Sequence, residues 1–318
     1  METPRRSRWI IPTALIVGCL PWLILFTIGM VWFITKLAGL SGPVYSSDKI
    51  ALVRISGVIT AGQSSAGLFG GSTAGSERIV KQLEKARLDD SVKAILLRIN
   101  SPGGSPAGSQ EVYDEIMRIR KQGKVVVTSM GDVAASGGYY IASASDKIYA
   151  NGSTITGSIG VIFETTDMSS LYKKIGIEPE VIKTGKYKDT GGGLRKLTPD
   201  ERKLIRGIID DTFDQFIRAV SVGRKMPRAR VRQLADGRVF TGRQAKKIGL
   251  VDAIGGLQEA KAATARQAGI KGEPKVIEYE KDFWANLRGG AESESMRAAQ
   301  RDEAIIRRLL QMAPELAP

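Results

Sequence analysis

Ser136 is the residue in this chain best placed to do chemistry. It sits in Ala134-Ala135-Ser136-Gly137-Gly138, where an apolar run gives way to helical spacing, and the small residues on both sides leave its hydroxyl open to a reactant. That is the physical logic of a hydrolase nucleophile elbow. A second turn, Asn100-Ser101-Pro102-Gly103-Gly104, comes one strand-helix unit earlier. Paired glycines there allow bare backbone N–H groups to face a ligand, as an oxyanion hole requires. Each turn alone is also an ordinary strand-to-helix junction; together they are much stronger evidence. The chain of 318 residues has no histidine and one cysteine. Ser-His-Asp and Cys-His systems, and zinc sites built on histidine, are therefore excluded, as are an internal disulfide and a cysteine zinc cluster. A base for Ser136 must be Lys, Asp, Glu or Tyr. Lys183, Lys186 and Lys188 lie close together downstream, and bare chemistry does not separate them. An ordinary lysine, with pKa ~10.4, is protonated at neutral pH, so a lysine base needs a site that desolvates its ammonium and brings it to ~7–8.

These turns need a scaffold. Residues 50–59 are apolar and β-branched and read as a strand, 60–75 as a mobile glycine-rich loop, and 77–87 as a helix. The alternation continues with strand 94–99, helix 108–121, strand 125–129, helix 135–144, strand 147–150 and strand 159–163. Strands alternating with helices predict an α/β domain. Thr198-Pro199-Asp200-Glu201 is a capping box with proline at the first helical position, and it opens a helix running to about residue 222. Gly191–193 reads as a flexible loop, and short helices near 244–247 and at 257–268 close the domain.

Ahead of the domain, residues 9–35 carry no charge and follow Arg5, Arg6 and Arg8. A bilayer needs ~20 apolar residues, and a signal-peptide core is only ~7–15, so the run predicts a retained anchor. The arginines place the N-terminus in the cytoplasm and the domain outside. Ile16-Val17-Gly18-Cys19 has the look of a lipoprotein box, but the apolar run continues past it and the simpler reading is a small residue in a helix. The expected organisation is a basic segment at 1–8, a transmembrane anchor at 9–36, a linker at 37–49, a catalytic domain at 50–275 and a charged tail at 276–318. The net charge of +14 is scattered singly through apolar periodic segments, which argues against nucleic acid and suits proximity to an anionic lipid surface or a merely basic one.

Over residues 50–275 the chain resembles the membrane-anchored signal peptide peptidases of the SppA type. The resemblance rests on Ile99-Asn100-Ser101-Pro102-Gly103-Gly104, on Met130 through Tyr140, and on Thr156-Gly157-Ser158-Ile159-Gly160-Val161. Lys183-Thr184-Gly185-Lys186-Tyr187-Lys188-Asp189 and Gly237 through Lys247 complete it. It implies a ClpP/crotonase-like α/β fold of repeated ββα units in a spiral, behind a single N-terminal transmembrane helix. It also implies a Ser-Lys dyad, which a chain without histidine can support. By motif position Ser136 corresponds to the nucleophile, Lys188 to the general base, Ser158 to the hydroxyl that orients the lysine, and Gly104 and Gly137 to the oxyanion donors. No metal or cofactor is implied. The implied partners are hydrophobic signal-peptide-like substrates, the bilayer of a bacterial inner membrane, and further copies of the chain in a homo-oligomeric ring that shares the dyad between protomers. Apolar residues flanking the glycine turns lead us to expect a small or aliphatic residue before the cut.

Three rival readings fit parts of the sequence. Ser170-x-x-Lys173 with Lys183-Thr184-Gly185 mimics penicillin-binding proteins, but the elements are too close and no Ser-Asp-Asn intervenes. A crotonase-like acyl-CoA enzyme would share the scaffold but not the Ser136 elbow. An inactive peptide-binding scaffold at the membrane would share both but take up no fluorophosphonate.

Overall fold

A computed structural model describes residues 22, 25–33, 45–63 and 73–279. Residues 25–33 are helical (α1), and Phe26, Ile28, Trp32 and Phe33 on it are exposed. No helix among the described residues is long and apolar enough to cross a membrane. Most of the expected anchor, Cys19, the linker to residue 44 and the tail beyond 279 lie outside the described residues.

The domain is built on a sheet whose central path runs β10 (Glu273–Ile277), β1 (Tyr45–Ser56), β4 (Val92–Ser101), β5 (Val125–Ala135), β6 (Lys147–Ala150), β9 (Ala253–Ile254). From β1 to β9 the neighbours are parallel. The strands are nearly continuous apolar runs because both faces are covered. Ile50, Leu52, Ala94, Leu96 and Val127 pack with Ala260 and Ala265 of α9 (Leu257–Gln267). Their neighbours Ala51, Val53, Ile55, Ile95, Leu97 and Ile99 point the other way, into the larger core formed with α2 (Ser76–Leu88), α3 (Pro106–Lys121) and α4 (Gly137–Ser143).

The run expected as one strand at 50–59 is two. Gly57 takes φ 87° and breaks it, and β2 (Val58–Thr60) pairs in parallel with β3 (Thr73–Gly75) instead of joining the main sheet. The strand expected at 159–163 does not form: the strand is β7 (Ile155–Gly157), which ends where Ser158 turns to φ 50°. β7 pairs in parallel with the end of β5 and antiparallel with β8 (Val239–Thr241). The expected helix at 135–144 begins only at Gly137, because β5 continues through Ala135.

The capping box at Thr198 and Glu201 is present, with Pro199 at the first position of α6 (Pro199–Gly223). At its far end α6 crosses α4 closely. A Cβ on Gly223 would sit 1.9 Å from Ser143 O, so only glycine permits the crossing. The crossing sets Phe216 against Tyr140 of α4, ring centroids 5.0 Å apart. α5 (Ser169–Lys174), α7 (Arg228–Leu234) and α8 (Gly242–Lys247) complete the helices described here.

Candidate active site

The site grows from the carboxyl ends of β4 and β5, the usual ligand rim of a parallel sheet. At the end of β4 Ser101 Oγ accepts from Gly103 N at 3.1 Å, and Gly103 and Gly104 take φ 106° and 150°. The turn is stitched to β2 by Ile59 N–H to Gly103 O and Ser105 N–H to Ile59 O, both 2.8 Å. Ser105 then caps α3, accepting from Gly108 N. One strand over, Asn100 Oδ1 accepts from Val133 N at 3.1 Å, where the β4–β5 register shifts. That shift carries the end of β5 to Ser136.

Ser136 itself has φ 52° and ψ −121°, a conformation a side chain tolerates only under constraint. The constraint is visible. Ser136 N donates to Gly157 O at 2.9 Å, Tyr140 N donates to Ser136 O at 2.8 Å, and the chain must reverse from strand to helix in one residue. The half-buried Ser136 hydroxyl has no hydrogen-bond partner among the described residues, and neither have the amide N–H groups of Gly104 and Gly137. The two turns touch: a Cβ on Gly103 would lie 2.7 Å from Gly137 N and 2.8 Å from Ser136 Cβ. Ser158, also at positive φ (50°), follows β7 and donates its amide to Arg238 O at 2.9 Å.

Gly104, Ser136, Gly137 and Ser158 line one cavity of about 480 Å³. Its apolar wall includes Tyr140, Ile162, Ile209, Phe213 and Phe216. Burial pushes the Tyr140 phenol up to about 12, so it stays neutral and is no base. These wall residues were not foreseen from sequence, nor was Ser109, whose Oγ would lie 2.4 Å from a Cβ on Gly137. A helical period in α6 signalled a buried face, but nothing local said that the face closes a cavity over Ser136.

Lys188 is not among the residues lining this cavity. Its side chain is exposed and makes no ion pair or hydrogen bond among the described residues. The two lysines that sequence left equivalent to it are both engaged. Lys183 Nζ lies 2.5 Å from Asp189 Oδ1 and 3.2 Å from Lys186 O. Lys186 Nζ lies 2.5 Å from Asp200 Oδ2, and that hydrogen bond holds its pKa above the ordinary lysine value. A carboxylate partner favours the ammonium and so opposes a role as base. Gly191–193, expected to be a flexible loop, is tied down: Met168 N donates to Gly193 O at 2.8 Å and Thr165 Oγ1 to Gly191 O at 3.0 Å.

A serine held at a strained strand-to-helix corner, beside two glycines whose amides have no partner among the described residues, is an arrangement a serine hydrolase can use. Comparison with known proteins narrows it. Residues 118–271 match the model of peptidase family S49 and residues 71–155 that of Clp protease. The chain is 39% identical over 245 residues to a protein of Synechocystis sp. that carries a protease name, covering 76% of this chain and 83% of that one. It is 36% identical over 265 residues to an Enterococcus faecium protein named for signal peptide peptidase SppA, covering 82% and 76% of the two chains. With Protease 4 of Haemophilus influenzae it shares 39% identity over 213 residues, 67% of this chain but only 34% of the relative. The chain belongs to peptidase family S49, the SppA family; it is a serine peptidase with a ClpP/crotonase-like α/β fold.

Proposed function

We propose that the chain is a membrane-anchored serine endopeptidase that degrades hydrophobic peptides, such as remnant signal peptides, on the outer side of a bacterial inner membrane. The observation that carries the catalytic reading is the Ser136 hydroxyl at positive φ beside the Gly104 and Gly137 amides, all three without a hydrogen-bond partner among the described residues. Ser136 Oγ attacks the scissile carbonyl as its proton passes to Lys188 Nζ. The carbonyl oxygen takes up the negative charge and is held by the two glycine N–H groups. The C–N bond breaks, the leaving amine takes the proton from Lys188, and water then releases the acyl group from Ser136. Ser158, on the cavity wall, orients the lysine.

Lys188 does not line the cavity of its own chain, which favours sharing of the dyad: Lys188 of one protomer completes the site of the next in a closed ring. Burial against a neighbour would also remove water from its ammonium, as a lysine base requires. The segment before it supports this reading, since Ile175, Ile177, Val181, Ile182 and Tyr187 are all exposed, Ile182 at 92%. Apolar side chains left in water on this scale mark a contact surface. The exposed apolar residues of α1 favour the bilayer in the same way. The cavity is large enough for more than the small or aliphatic side chain expected from sequence, and its aromatic wall suits bulky apolar residues too.

Mixing full-length Ser136→Ala chains with Lys188→Ala chains tests the reading. Each is inactive alone, and co-assembled rings should regain a fraction of peptide cleavage and of fluorophosphonate labelling at Ser136. Well-mixed rings that stay inactive place the dyad within one chain. Profiling with a peptide library should show apolar residues before the cut, and a strong preference there for Lys, Arg, Asp or Glu would refute the apolar cavity.

A further inference from the structure

Lys188 is flanked by an ion cluster that the proposed mechanism does not use. Asp189, the next residue, is gripped by Arg195 through two bonds, Nε to Oδ2 at 2.9 Å and Nη2 to Oδ1 at 2.8 Å. Lys183 adds a third contact to Asp189 Oδ1. The same guanidinium reaches Glu201, Nη2 to Oε1 at 2.6 Å and Nη1 to Oε2 at 2.9 Å. Glu201 is buried, accepts from Thr190 Oγ1 at 3.0 Å, and takes the Thr198 amide in the capping box of α6. Residues 189 and 190, immediately after Lys188, are thus fastened to the first turn of the longest helix described, while the side chain of Lys188 has no partner among the described residues.

A surface pair would contribute little here, but planar two-pronged arginine contacts fix geometry as well as adding energy. The cluster also removes competitors. Asp189 is the nearest carboxylate in sequence to Lys188, and both its oxygens accept from Arg195 or Lys183 and not from Lys188. Arg195 holds the Asp189 carboxyl down at about 2, with Lys183 second, so the grip persists at any working pH.

We infer that Arg195, bridging Asp189 to Glu201, is a positioning residue that presents Lys188 to the serine it activates. The inference rests on Lys188 being the base. Arg195 touches no substrate atom in this scheme; it acts through the placement of the lysine. A displacement of about 1 Å in a reacting group can cost on the order of 10²-fold in rate.

The test uses the full chain and two readouts, the pH profile of fluorophosphonate acylation at Ser136 and peptide hydrolysis. Arg195→Met should lower kcat and acylation on the order of 10²-fold while leaving KM unchanged. Arg195→Lys, which keeps the charge but loses the fork, should recover only part of the loss. In a Lys188→Ala background Arg195→Met should cost nothing more, because the group it positions is already gone. In mixed assemblies Arg195→Met chains should be rescued by Ser136→Ala chains, which bring an intact lysine arm, and not by Lys188→Ala chains. Should Arg195→Met fail to fold, Asp189→Asn weakens the same bridge with little change of shape and carries the same expectations.

If Lys188→Ala is itself active, the base assignment fails and the inference with it. If Lys188→Ala is inactive but Arg195→Met keeps its full rate, or if the two losses multiply in the double variant, the inference alone is overturned. If Ser136→Ala and Lys188→Ala chains do not rescue each other, sharing between protomers fails, and the double variant still decides whether Arg195 acts through Lys188.

Discussion

Replacing Gly104 by alanine puts a methyl carbon 2.1 Å from Ile59 O and 2.8 Å from Ile59 N, against backbone that has no rotamer to turn away. The turn and β2 must separate. Separation breaks two backbone hydrogen bonds, Ile59 N–H to Gly103 O and Ser105 N–H to Ile59 O, each 2.8 Å long. At about 1 kcal/mol for each bond, plus about 1 kcal/mol for a side chain at φ 150°, the loss is about 3 kcal/mol. For a domain of this size that lowers Tm by about 6–12 °C. The Gly104 amide moves with the turn, and loss of one oxyanion donor should slow acylation about 10²–10³-fold. Differential scanning calorimetry gives the first number and the rate of fluorophosphonate labelling at Ser136 the second. A variant with unchanged Tm would refute the packing argument. A variant that is less stable but acylates within about threefold of the parent would remove Gly104 from the oxyanion site.

Gly137→Ala should behave differently, because its new methyl meets a side-chain atom, Ser109 Oγ, at 2.4 Å. It should lose about 1–3 kcal/mol, and Ser109→Ala should restore much of that in the double variant; a double variant no more stable than Gly137→Ala would show that the clash lies elsewhere. Lys186→Ala removes an exposed pair with Asp200 and a contact of its ammonium with the Tyr187 ring and should keep most activity, whereas Lys188→Ala should be nearly inactive with an unchanged fold; the reverse ranking, measured by hydrolysis rate and circular dichroism, would assign the base to Lys186. Asp189 is depressed to about 2, by Arg195 first and Lys183 next. A carboxylate held below its unfolded value of about 4 adds stability above pH ~4 that is lost as pH falls through about 2. Hydrogen-exchange protection over residues 183–201, taken relative to the intrinsic rate at each pH, should therefore fall progressively across that window, and protection unchanged down to pH 2 would contradict the ion cluster.

Sequence carried the scaffold further than it carried the site's walls. Continuous apolar runs at β1, β4 and β5 showed strands covered on both faces, and Thr198 and Glu201 declared the start of α6 by local capping chemistry. Gly104, Ser136 and Gly137 were legible because tight turns demand small residues, Ser158 through the family resemblance alone, and the four share one cavity. Residues 159–163 misled because an apolar β-branched run looks like a strand wherever it occurs. What stops it is the turn at Ser158 and the pairing of β7 with β8, some eighty residues away in sequence. Phe213 and Phe216 were hidden for a related reason: their place over the cavity depends on the close crossing of α6 and α4 at Gly223. The three lysines share residue type and neighbourhood, and only the positions of Asp189 and Asp200 tell them apart.

Ser136 and Ser158 are two of the three non-glycine residues at positive φ among the described residues, and both line the cavity. Holding a side chain there costs about 1–3 kcal/mol at each position. Exchange for glycine would release that strain and lose only about 0.4–1 kcal/mol through the greater freedom of the unfolded chain. On stability alone, then, glycine is the better residue at both places. Random substitution with retention of whatever folds best would erase the two hydroxyls while improving the protein as a folded object. A stability screen run on this chain without an activity readout should return glycine at 136 and 158 among its best variants.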